Sequence, residues 1–140
     1  MNYTRLALAA VVATIVDMIY GFAVYGTALA NEFGRYPGVY RGADTGPAFL
    51  PLMFGGLLLA ILAAAVIYAK GYEGGSGLAE GARFGLLLGL FVVFAFASVN
   101  YATLNVGRKI AVMTAAAGLV EWLVIGTIIG LVYKPARSPR

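Results

Sequence analysis

The chain has 140 residues, 61% of them apolar and only 11% charged, with a net charge of +4. A soluble domain carries roughly 25% charged residues, so ten basic and six acidic side chains make too thin a polar skin for a water-soluble globule. With neither cysteine nor histidine, disulfides, thiol catalysis, Ser-His-Asp triads, histidine-ligated haem, Fe–S clusters and the usual zinc sites are all excluded. The basic residues stand at the ends of apolar runs, without a continuous basic patch. That arrangement fits membrane anchoring and not nucleic-acid binding.

Crossing ~30 Å of hydrocarbon takes about 20 apolar residues, and four stretches qualify. The first runs from Leu6 to Ala30, interrupted only by Asp17. The loop from Asn31 to Ala48 is irregular, with Pro37, Gly38, Gly42, Gly46 and Pro47. Asp44 or Thr45 is the expected cap of the second helix, with Pro47 in its first turn. The second span is Phe49 to Ala69. The Gly-rich link from Lys70 to Ala82 follows, with Ser76 as the expected cap of the third helix and Glu80 in its first turn. The third span is Phe84 to Leu104. A short link, Asn105 to Lys109, forces it into a tight hairpin with the fourth, Ile110 to Tyr133. All four are expected to be helical, because lipid cannot satisfy an unpaired backbone.

The expected fold is therefore all-α, a single polytopic domain over 1–140 with four antiparallel transmembrane helices in two hairpins. Arg5, Lys70, Arg83, Lys134, Arg137 and Arg140 fall on one side; Arg35, Arg41, Arg108 and Lys109 fall on the other. That bias places both termini in the cytoplasm. Tyr3, Tyr68, Tyr72 and Tyr133 form one interfacial belt, and Tyr36, Tyr40 and Tyr101 the other. Ala28-Leu29-Ala30 before Asn31 has the form of a signal-peptidase site. The apolar stretch before it far exceeds the usual 7–15 residues, so the first span is expected to stay. The Ala-, Gly- and Val-rich composition points to a bacterial cytoplasmic membrane.

Asp17 and Glu121 each lie near the middle of a span. An acid there costs roughly 2.5–3.5 kcal/mol to insert, and no Lys or Arg occupies the middle of any span. Each acid must then hold a proton, bind a cation, or meet a basic group from another subunit. Thr14 and Tyr20 are positioned by helical spacing to hydrogen-bond Asp17, and Gly21 gives it a small-residue face. Gly118 and Thr114 flank Glu121 in the same way. Two readings follow: neutral acids bonded across a helix interface, or a proton or cation site.

Asn100, with Tyr101 and Thr103, either lines an outward polar vestibule or bonds between helices. Trp122 at mid-depth either stacks on a ligand or fills helix–helix space. Gly81, Gly85 and Gly89 form one small-residue ladder, Gly56, Ala60 and Ala64 a second, and Gly126 with Gly130 a third; all read as packing seams. Arg35, Tyr36, Tyr40, Arg41 and Asp44 give the first loop a basic, aromatic character. Lys134, Arg137 and Arg140 suit anionic lipid headgroups.

In layout the chain resembles the small multidrug-resistance transporters, which have four short spans and an essential acid in the first helix. The resemblance covers architecture alone. The family's acid is a glutamate nearer the start of helix one, whereas Asp17 lies deeper, and the family's other helix motifs have no match here. Gly42-Ala43-Asp44 is not the Gly-x-Gly-Asp of intramembrane aspartyl proteases and falls in a loop. The expected function is a non-catalytic helix-bundle accessory or assembly subunit, partnered by the lipid bilayer and by itself or a larger membrane complex. The alternative is a proton- or cation-coupled small-solute transporter using Asp17 and Glu121. No enzymatic activity, cofactor, metal or nucleic-acid partner is expected.

Overall fold

A computed structural model describes residues 1–42 and 44–133; Lys134, Arg137 and Arg140 lie outside them. Helix α1 (Tyr3–Ala23) starts where the Asn2 side chain accepts the Arg5 N–H at 3.1 Å, a polar N-cap that satisfies one orphan donor. It runs on through a π turn, Val24–Ala28, before the short α2 (Ala30–Phe33). A 3₁₀ turn (Gly46–Phe49) leads into α3 (Leu50–Lys70). Helix α4 (Gly77–Val92) passes through a second π turn, Val93–Ala97, into α5 (Ser98–Thr103), and α6 (Arg108–Val132) completes the chain of elements.

Four helical segments are long and apolar enough to cross a membrane: Tyr3–Ala28, Gly46–Lys70, Gly77–Thr103 and Arg108–Val132. Their outward faces are apolar, with Phe22, Leu52 and Phe94 each at least 70% exposed. In water such surface would be a liability; in lipid it is the solvated face.

The third segment begins at Gly77, directly after the expected cap position Ser76 and with Glu80 in its first turn, seven positions before the apolar stretch expected from Phe84. The glycines that read as a flexible link are helical because they pack. Positions rising along α4 meet positions falling along α6: Gly77 with Gly130, Gly81 with Gly126, Gly85 with Trp122 and Leu123, and Gly89 with Leu119. A Cβ on Gly81 would stand 2.9 Å from the Gly130 Cα, so only hydrogen fits. Backbone carbonyls of α6 therefore lie on glycine Cα atoms of α4, the geometry of Cα–H···O contacts. The two glycine ladders of the sequence are the two halves of one seam. In lipid, with no hydrophobic drive between helices, such close packing carries association.

Helix α6 is the hub: α1, α3 and α4 all pack on it, and α3 also packs on α1. Leu6, Ala9, Ala10 and Ala13 of α1 meet Ile61, Ala64 and Ala65 of α3 and Ile125 and Ile129 of α6. Three glycines expected in packing seams do not pack tightly within this bundle. Nothing lies within 4 Å of a Cβ placed on Gly21 or Gly56, and a Cβ on Gly118 would meet only the Tyr25 hydroxyl, at 3.9 Å. Gly21 and Gly118 instead line cavities.

One end of the bundle is closed by aromatic rings. Tyr68 lies 5.4 Å from Phe84 and 6.0 Å from Tyr133, edge-on to both, with Tyr72 beside them. Tyr68 and Tyr133 are buried among these rings and not exposed on the outside of the bundle. Ser76 does not cap α4 with its side chain. Glu80 stabilises that link from inside, accepting the backbone N–H groups of Glu73 at 2.6 Å and Gly75 at 3.1 Å. Neither Asp44 nor Thr45 caps the second span by a side chain, although a proline does sit in its first turn. At the other end Glu32 pairs with Lys109, and with Arg35 at 3.6 Å, tying the first loop to the start of α6. The Tyr36 hydroxyl there accepts the Gly107 N–H at 3.1 Å.

Candidate functional site

Asp17 sits on α1 and Glu121 on α6, and the packing of these two helices brings them together. Both residues stand in the lining of one cavity, close enough for each carboxyl group to perturb the other. Asp17 is only 2% exposed, and neither of its oxygens has a donor among the described residues. Two ionised carboxylates have no hydrogen to share, so the pair is complete only when a proton or another cation is present. No described Lys or Arg forms an ion pair with either acid. Nor does any group of three or more metal-ligating side chains come together among the described residues.

The donors expected for Asp17 are engaged elsewhere. The Thr14 hydroxyl donates to its own helix, to the Ala10 carbonyl at 2.8 Å, as a buried threonine in a lipid-embedded helix commonly does. Tyr20 donates across to the Ala117 carbonyl of α6 at 2.8 Å. It therefore joins the helices that carry the two acids without touching the acid on its own helix. Thr114 likewise donates to the Ile110 and Ala111 carbonyls.

The donor to the pair is Tyr25, which gives its hydroxyl hydrogen to Glu121 Oε2 at 2.6 Å. The sequence did not single it out. Eight positions after Asp17, an ideal helix turns it about 80° away from the acid's face. Tyr25 belongs instead to the π turn, whose extra residue re-aims what it carries, as π turns at functional sites often do. The Thr27 hydroxyl, in the same turn, donates to the Phe22 carbonyl five residues back in α1.

Two cavities reach the pair. The larger, about 980 Å³, lies between α1, the first loop and the start of α3; Asp17, Gly21, Tyr25, Phe54 and Glu121 are in its lining. Arg41 stands in the same lining, its guanidinium 3.5 Å above the Phe49 ring, a cation–π seat. The smaller, about 250 Å³, lies between the α4–α5 segment and α6 and is lined by Asn100, Tyr101, Thr114, Gly118 and Glu121, with Tyr25. Asn100 and Thr114, predicted separately, thus share one cavity with Glu121. Trp122 lines neither: it packs against the core, and its carbonyl backs onto Gly85. Gly126, Gly130, Gly85 and Gly89 belong to the α4–α6 seam and not to the site. No known family, curated protein or solved structure matches the chain.

Proposed function

We propose that this protein is a proton-linked carrier of a small solute, working in a membrane with both termini on the cytoplasmic side and its four spans running alternately as two hairpins. One observation carries the reading: a buried Asp17 and a half-buried Glu121, with no basic partner among the described residues, both line a roomy cleft. The 980 Å³ of that cleft exceeds what packing alone leaves in a close-packed bundle. A bound cationic or hydrogen-bond-donating group on the solute can replace the shared proton; release of the solute lets the proton return. Exchange of one for the other at one site couples their movements. The rising-against-falling register of the glycine seam supports the hairpin arrangement, and the Lys/Arg bias supports the orientation.

The test uses protein reconstituted in vesicles loaded with a pH-sensitive dye and challenged with a panel of small amphipathic solutes. Solute-dependent proton movement is expected for the parent and for Thr14→Val. It should vanish in Asp17→Asn and Glu121→Gln, which keep hydrogen bonding but cannot titrate. If all four proteins behave alike while remaining folded, the acids are structural.

One observation favours the second reading, a non-catalytic accessory or assembly subunit. Gly55 and Gly56 of α3 are exposed, with nothing within 4 Å of a Cβ on either. That leaves room for the close approach of a helix from another copy or another membrane protein. Stable partners after mild solubilisation would mark it.

A further inference from the structure

We infer that the proton and the solute reach the carboxyl pair by separate routes, and that Tyr25 is the positioning residue that keeps them apart. The inference rests on the carrier reading above and adds a division of labour within its site. Tyr25, Phe33, Tyr40 and Glu121 are common to the linings of both cavities. The three rings are consecutive neighbours: Tyr25 lies 6.4 Å from Phe33, and Phe33 lies 4.7 Å from Tyr40, edge-on. They form a wall with one cavity on each side. Glu121 stands at its inner end, bonded to the ring that begins it.

The two sides differ in chemistry. Asp17, whose oxygens have no hydrogen-bond partner among the described residues, is in the lining of the large cleft alone. Asn100, Tyr101 and Thr114 are in the lining of the small cavity alone. An amide, a phenol and a hydroxyl are groups that hold water, and a chain of them can pass a proton. At 250 Å³ the small cavity has space for several waters. The large cleft is walled mainly by apolar and aromatic side chains, which suits a solute body more than a water file. Proton access is therefore assigned to the small cavity, ending on Glu121, and solute access to the large cleft, ending on Asp17. The Tyr25 ring stops water from short-circuiting the two, while its hydroxyl holds Glu121 where both routes end.

Heavy water tests this with no solute present. The protonated carboxyl C=O stretch is followed by infrared spectroscopy after transfer of the reconstituted protein to D2O, and assigned by its loss in Glu121→Gln. Ala111→Leu fills the small cavity, and Gly21→Leu fills the large cleft. Deuteration of the Glu121 carboxyl is expected to slow at least about ten-fold in Ala111→Leu, since exchange then waits on local opening of the bundle. It should stay at the parent rate in Gly21→Leu. Adding Tyr25→Ala to Ala111→Leu breaches the wall and should restore fast exchange. If Ala111→Leu does not fold, Thr114→Cys labelled with a small charged methanethiosulfonate replaces it as the plug, with Met53→Cys as the large-cleft control; the chain has no other cysteine. Equal rates with either cavity filled, or slowing by the Gly21 variant alone, overturns the two routes and leaves the carrier reading standing. Absence of any protonated carboxyl band in the parent overturns both.

Discussion

Replacing Gly126 with alanine tests the interlocked α4–α6 seam most sharply. The added methyl would collide with the Cα and N of Gly85 and stand 2.7 Å from the Gly81 carbonyl oxygen. Every one of these is a backbone atom, so no side chain can swing aside and the helices must separate. Overpacking of a tight site costs typically 1–3 kcal/mol, and a clash with backbone alone belongs near the top, about 3 kcal/mol. Alanine returns about 1 kcal/mol through its better helix propensity. The net loss is about 2 kcal/mol, roughly thirty-fold in the folding equilibrium. Gly56→Ala is the matched control: it gains the same propensity and meets nothing within 4 Å. Unfolding in mixed micelles, titrated with a denaturing detergent and followed by circular dichroism, gives both values. A Gly126→Ala protein as stable as the Gly56→Ala protein would refute the seam as drawn.

Tyr25→Phe removes the hydroxyl that donates to Glu121. A hydrogen bond lost at this half-buried acceptor costs about 1 kcal/mol; the infrared C=O stretch of the Glu121 acid should shift to higher frequency, and an unmoved band would deny the bond. Glu80→Leu leaves the Glu73 and Gly75 N–H groups without their acceptor and should cost about 2 kcal/mol, with faster amide exchange confined to residues 71–77. Lys109 donating to Glu32, helped by Arg35, holds the Glu32 carboxyl below its ordinary value of 4.5. A depressed acid adds stability that is complete above the unfolded value and is lost as pH falls through the folded one. Glu32→Gln should therefore flatten the fall in stability below about pH 5 and leave neutral-pH behaviour of the carboxyl pair untouched.

Read alone, the chain already shows four stretches long and apolar enough to cross a bilayer, roughly where they lie, and two acids mid-stretch with no basic residue at their level. These follow from one-dimensional quantities: the length of apolar runs against the thickness of a bilayer, and the cost of a charge at its centre. Helix ends were less legible. The Gly-rich link is expected to reach Ala82, although Ser76 already marks a helix start; the helix does begin directly after Ser76, and Gly77 and Gly81 are helical despite glycine's low propensity because a facing ladder on α6 needs them bare. Which helices touch is visible in the folded bundle and not in the sequence. The bundle paired the two glycine ladders and set Asp17 near Glu121. It also turned Thr14 and Tyr20 onto backbone carbonyls and brought Tyr25 to the acid through a π turn that departs from 3.6-residue phase. Adjacency in lipid is a matter of close fit between surfaces, with every candidate face equally apolar, so periodicity alone carries no record of it.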